Sequence, residues 1–341
     1  DTLSGGYLYD RKLVEYLRAQ GDTVEIISLP WRNYAAHLTD NFSFRLPPGL
    51  DVLIQDELNH PSLLSANRNK PYPVVSLVHH LRCSEQRPDW QNWLYRIVEK
   101  RYLRGVDGFI FNSQTTRGVV KGLATDEMPF LVAYPPTDRF GVGMSEAEIE
   151  ARARAAGPLR ILFLGNVIER KGLHTLLEAL RTLPVGSISL DVVGSLEADP
   201  AYATMVQRYA VERCPAGTVQ FHGALDEALL IEKLKAAHLL AVPSSYEGFG
   251  IVYLEGMGFG LPAIGTTAGA APEIIADGST GYLIEPGDHK TLAARLGELV
   301  QNRDLLCELS LKALVRYRQQ PAWEQTCANI RTFLQKMIAV A

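Results

Sequence analysis

The chain has few cysteines and no pair of them at close spacing. Cys83, Cys214, Cys307 and Cys327 are scattered over 341 residues without a CxxC. They read as free thiols of a reducing cytosol, unless two meet in space. No run of about 18 apolar residues exists, which excludes a spanning helix by hydropathy. The first residues hold no basic segment followed by an apolar stretch, so no signal peptide is expected. Positive charge is not in excess either: 34 Lys and Arg against 38 Asp and Glu leave a net charge of −4. That argues against a general nucleic-acid binder. What remains is 47% hydrophobic and 21% charged, with room for two domains of ordinary size.

The stretch from Ser244 to Glu273 carries the most chemistry. The apolar run His238 to Val242 predicts a buried strand, which delivers the chain to a turn where Gly248 and Gly250 flank Phe249. Without Cβ atoms there, backbone amides come close to a ligand. A helix is predicted from Ile251, and its first amides and positive dipole end suit an anion such as phosphate. Glu247 lies in the turn and Glu255 in the second turn of the apolar helix, with seven residues between them. A carboxylate in such a helix sits at a solvated edge or holds a polar ligand. Gly256, Gly258 and Gly260 follow, each unfavourable in a helix by about 1 kcal/mol relative to Ala, which suits close approach. A glycine-rich core helix with an edge glutamate fits the same residues. Leu261 to Gly265 reads as the next buried strand, followed by small residues, Pro272 and Glu273.

Glu247, seven residues, Glu255 and then GAAPEIIADGSTGYLIEPGD from Gly269 to Asp288 closely resemble the group 1 (family 4) retaining glycosyltransferases. The resemblance runs over nearly the whole chain. It implies an α/β fold with two Rossmann-like domains facing across a cleft (GT-B). The implied domains are an N-terminal acceptor domain over 1–137, a linker over 138–157, a nucleotide-sugar donor domain over 158–318, and a terminal helix over 319–341 that returns to the first domain.

From its start, DTLSGG precedes a helical pattern with Leu8, Leu13, Val14 and Leu17, closed by Gly21 before a strand predicted over Thr23 to Leu29. In the family a parallel strand feeds this glycine loop, so the first strand of the N-terminal domain is expected to be missing. By resemblance, Gly5 and Gly6 match the loop that approaches the donor diphosphate. Strands predicted at Asp51–Gln55 and Pro73–Val78 end in Asp56, Glu57, Asn59 and His60, and in His79 and His80. His79 aligns with the family histidine over the donor sugar; a surface or core His pair is the plainer alternative. His80 and the acidic pair are candidates on the acceptor side.

Residues 82–121 are rich in Arg and Lys, with Trp90, Trp93, Tyr95 and Tyr102 interleaved on a predicted helix. That composition suits a membrane surface, and with it a lipid acceptor at the inner face of the cell membrane. A solvated helix with an aromatic core stripe is the plainer reading of the same residues. Asp107–Phe111 predicts a strand, with Asn112 and Ser113 capping the helix after it.

A second α/β series begins at Arg160–Leu164, with further strands predicted at Ile188–Val193, Val219–Phe221 and His238–Val242. Its first loop runs from Gly165 to Gly172. The family usually has Gly-Arg, a few residues, then Lys-Gly. Lys171 and Gly172 match, whereas Asn166 occupies the arginine position, and Arg170 is the candidate replacement for its charge. Fixed cations and amides there would stabilise the negative charge of a departing nucleoside diphosphate. An exposed basic turn is the alternative.

The resemblance assigns the remaining roles. Glu247 positions the sugar, Glu255 holds the ribose, and Gly248, Phe249, Gly250 and Ile251 give backbone contacts. His79, Glu247, Lys171 and Arg170 form the catalytic set; Gly5, Gly6, Asn166 and Glu255 complete the donor site. The expected enzyme is a cytoplasmic hexosyltransferase that uses a UDP or GDP sugar, an unidentified acceptor and no metal, since the sequence has no DxD-type pair. A non-catalytic sugar-nucleotide-binding protein, an epimerase or a phosphorylase of the same architecture remain alternatives.

Overall fold

The computed structural model describes residues 5–30, 32–68, 70–85, 87–124, 128–136 and 138–340. The chain forms two compact α/β units: Asp1–Pro136 with Pro321–Ala341, and Thr137–Gln320.

The first unit is built on a parallel sheet of β1 (Leu53–Asp56), β2 (Val74–Val78), β3 (Gly108–Phe111) and β4 (Phe130–Val132), paired in that order. Every residue of β2 and β3 is buried, as expected of a parallel sheet covered on both faces. Alternation along β2 divides the core. Val74 and Val78 pack with Tyr102 and Leu103, whereas Val75 and Leu77 pack with Tyr9, Leu13, Leu17, Cys327, Ile330 and Leu334. The latter residues belong to helices Gly5–Ala19 and Trp323–Val340. Arg331 fixes the terminal helix by donating to both Asp22 oxygens, at 2.7 and 2.9 Å.

Thr23–Leu29 is not a strand. It has no regular secondary structure and joins no ladder, and Ile26 and Ile27 are exposed. Apolar, β-branched residues favour a pleated surface only where a neighbouring edge accepts their backbone. The glycine pair also differs from expectation: Gly5 and Gly6 are the first residues of a helix rather than a described loop, and Asp1–Ser4 lie outside the described residues.

The second unit carries β5 (Leu159–Leu164), β6 (Ile188–Val193), β7 (Val219–Gly223), β8 (Leu239–Ala241), β9 (Ala263–Thr266) and β10 (Gly281–Ile284). They form one parallel sheet in the order β10-β9-β8-β5-β6-β7. Successive strands therefore run outward from β5 to β7, and the chain then returns to lie beside β5 as β8. The order reverses between β5 and β8, which is where open α/β sheets bind ligands beyond the carboxyl ends of their strands.

The stretch 138–157 is not a plain linker. Its helix Glu146–Arg154 begins with a capping box between Ser145 and Glu148, and buries Ile149 and Ala153. Arg152 donates to Phe259 O at 2.8 Å and Gly260 O at 3.0 Å, binding the helix into the second unit. The polar, alanine-rich composition is that of a helix exposed on one side, which looks like a linker when read without its buried face.

Candidate functional site

Two loops flank the strand-order reversal. One follows β5 from Gly165 to Gly172, and the other follows β8 from Ser244 to Gly250. One backbone bond and one side-chain bond hold them together: Ser245 N donates to Arg170 O at 2.8 Å, and Arg170 Nη1 donates to Tyr246 O at 2.8 Å. Gly172 must be glycine for this contact. Its φ is +70°, and a Cβ would lie 2.1 Å from Pro243 O.

At the junction, Lys171 Nζ lies 2.7 Å from Glu247 Oε2, which also accepts from Ser244 Oγ at 3.0 Å. Glu247 is buried. Burial alone would raise its carboxyl, but the charges of Lys171 and Arg170 and the bonds from Lys171 and Ser244 hold it below the usual range. Glu247 is therefore an ionised group with fixed direction. Ala270 N donates to Glu247 O at 2.8 Å, and Gly269, at φ +78°, leaves no room for a Cβ against that carbonyl.

Glu255 lies in the same region with the opposite electrostatics. It is buried in helix Ile251–Met257, and burial pushes its carboxyl up to about 7 despite the charge of Arg139. Arg139 Nη1 is 3.7 Å from Glu255 Oε1, and Arg139 Nε is 3.4 Å from Glu227 Oε2. Glu255 is thus poised between neutral and charged forms, unlike Glu247. The solvated edge is excluded.

Other expected residues fall around this pair. Gly250 (φ +94°) precedes Ile251, the first residue of the helix, and Phe249 is buried, so its ring belongs to the core. Asn166 is half-buried in the loop after β5, and a Cβ at Gly194 would lie 3.0 Å from its backbone nitrogen. The helix expected to present its N-terminus to an anion, Ile251–Met257, has only seven residues, and Lys171 and Arg170 bring positive charge to the same loops. The glycines of that segment admit protein rather than ligand. A Cβ at Gly256 would meet Leu240 at 3.4 Å, at Gly258 Tyr317 at 3.0 Å, and at Gly260 Ile149 at 2.5 Å.

In the first unit, His79 follows β2 and its Nε2 lies 3.1 Å from Asp10 Oδ1. Gly6 is one helical turn before Asp10, and a Cβ there would sit 3.5 Å from the His79 ring. Burial lowers the imidazole, but the Asp10 hydrogen bond and the charges of Asp10, Asp56 and Glu57 outweigh it and push His79 up to about 9. Glu57, buried and pushed up by burial to about 7, accepts from His79 N at 3.0 Å and His80 N at 3.3 Å. Glu57 thus holds the backbone of the pair. His80 Nε2 lies 3.0 Å from Glu85 Oε1.

Sequence reasoning missed Asp10 and Arg139. Asp10 had a usable signal, four residues after Gly6 and therefore on the same helical face. Arg139, three residues beyond Pro136, had none.

Residues 144–315 match the family described as glycosyl transferases group 1. The chain is 27% identical over 253 residues to the D-inositol 3-phosphate glycosyltransferase of Corynebacterium urealyticum, covering 69% of this chain and 58% of that protein. It therefore spans a little over half the length of that relative. Sucrose-phosphate synthase from Thermosynechococcus elongatus shares the fold, with a TM-score of 0.79 and 20% identity over 99% of this chain and 94% of that one. So does Anabaena HepE, solved with UDP-glucose, with a TM-score of 0.70 and 19% identity over 89% and 82% of the two chains.

Proposed function

From the premise that this chain belongs to the glycosyl transferases group 1 family, whose match covers half of it, we propose that it moves a sugar from a nucleoside-diphosphate sugar to an acceptor hydroxyl. The observation that carries this reading is the Lys171–Glu247 pair at the strand-order reversal, with Glu255 in the adjoining helix. Lys171 receives the diphosphate as negative charge grows on the leaving oxygen, assisted by Arg170. Glu247 accepts from sugar hydroxyls, and Glu255 in its charged form accepts from the ribose hydroxyls. Backbone at Gly248, Phe249, Gly250 and Ile251 supplies further contacts, and the Asn166 loop borders the phosphates. His79, kept protonated by Asp10, donates to the sugar, with Gly5 and Gly6 at the start of the adjacent helix.

The transfer proceeds with retention. The anomeric carbon–phosphate oxygen bond breaks, the acceptor oxygen bonds to that carbon from the same face, and the acceptor proton passes to the departing phosphate. The sugar is a hexose, the donor nucleotide UDP or GDP, and no metal takes part. The reaction is assigned to the cytoplasm.

The test is release of nucleoside diphosphate from UDP and GDP sugars with and without an acceptor panel, with the product anomer read by NMR. Acceptor-dependent release, retained configuration and indifference to a chelator are expected. Equal release without acceptor, an epimerised sugar, or an inverted product would each overturn the reading.

A further inference from the structure

Helix Asp89–Leu103 packs its inner face within the first unit. Tyr102 donates to Ser76 Oγ at 2.9 Å, and buried Glu99 accepts from Arg82 N at 2.7 Å and Cys83 N at 3.3 Å. Tyr95 packs edge-on against Tyr34 at 4.8 Å, with Arg82 and Arg87 over its ring. Two of the four aromatic residues of the region are therefore structural.

The outer face is different. Trp90 is 64% exposed, Trp93 61%, Leu94 47% and Ile97 48%. Their spacing of i, i+3, i+4 and i+7 places them on one stripe. No core residue needs them there, and four large apolar side chains side by side on a surface mark an interaction site. Beside the stripe and on toward the helix end, Arg96, Lys100, Arg101 and Arg104 are exposed, and none forms an ion pair among the described residues. The helix's other carboxylate, Glu99, is turned inward, which leaves Asp89 as its one exposed acid. This positive patch lies on a chain of net charge −4.

We propose that this face docks on a lipid bilayer carrying anionic headgroups. Trp90, Trp93, Leu94 and Ile97 enter the boundary between headgroups and acyl chains, and the cations meet the phosphates. Charge complementarity selects this occupant: a neutral apolar partner would leave four unpaired cations at its rim. Among the described residues no helix is long and apolar enough to cross a membrane. The inference stands apart from the transferase reading and does not need it.

Vesicle sedimentation tests it, with phosphatidylcholine alone and with added phosphatidylglycerol. The parent chain should pellet with the anionic vesicles, shift its tryptophan emission to the blue, and release as salt rises. Trp93→Ser with Ile97→Ser should abolish pelleting, and Lys100→Gln with Arg101→Gln should weaken it roughly fivefold per charge removed. Both variants should melt as the parent does, because the altered side chains are exposed. Absence of pelleting would overturn the proposal. So would equal binding to neutral vesicles, or a Trp93→Ser, Ile97→Ser variant that loses only self-association and still binds lipid.

Discussion

Glu247 and Glu255 are both buried, yet their surroundings separate them. Glu247 is held ionised by Lys171, Arg170 and Ser244, whereas burial dominates at Glu255. For Glu247 the carboxyl is depressed in the folded state. Its stabilisation is therefore present above the ordinary value of 4.5 and lost as pH falls through the lower folded value. Lys171→Met should strand that carboxylate and cost about 3–5 kcal/mol in urea unfolding, and adding Glu247→Gln should recover most of the loss. A double variant no more stable than the single one would show that the pair is not the cause. For Glu255 the sign is opposite: raised to about 7, it favours the folded state below the ordinary value and weakens it as pH rises toward 7. If ribose hydroxyls bind its charged form, nucleotide affinity should climb by up to about tenfold per pH unit below 7 and level off above. Titrations of the parent and Glu255→Gln check this, and a parent as flat as the variant would remove Glu255 from the site. Sequence alone exposed both glutamates through their spacing. It gave no access to their protonation, because Arg139 and Ser244 act through space.

The elements around these residues were legible where burial is continuous. β2, β3 and β5 follow from short apolar runs, and Ser113 caps its helix as its residue type suggests, accepting from Thr116 N at 3.0 Å. Thr23–Leu29 was misjudged because a strand depends on its neighbour, and helix Glu146–Arg154 because its buried side amounts to Ile149, Arg152 and Ala153. The site loops depend on glycine at one place above all. Gly172→Ala should cost about 1–2 kcal/mol for the left-handed backbone, and more for the clash with Pro243 O. Gly186→Ala, with φ +77° and nothing within 4 Å, should show the backbone cost alone. Equal losses in thermal unfolding would mean that the loop yields to the added methyl, contrary to the close contact described.

The whole molecule was the most legible scale, because two α/β series, the second beginning at Arg160–Leu164, are visible as pattern. The topology within each unit was not, since strand order depends on pairings that no local stretch encodes. The return of Trp323–Val340 to the first unit came from resemblance, and its packing from the structure. Ile330 is fully buried there beside Tyr9 and Leu13, so Ile330→Ala should cost about 2–5 kcal/mol. A loss of about 1 kcal/mol or less would mean that the helix is loosely held. The proposed transfer depends on the second unit holding a nucleotide through Lys171 and Glu255. The most direct measurement is the thermal shift of the chain with UDP, GDP and ADP sugars, repeated with Glu255→Ala and Lys171→Ala. A bound ligand at about 100 times its dissociation constant stabilises by about 2.7 kcal/mol. One nucleotide class should raise the melting temperature of the parent and neither variant; no shift with any of them, or equal shifts in the variants, would contradict the assignment.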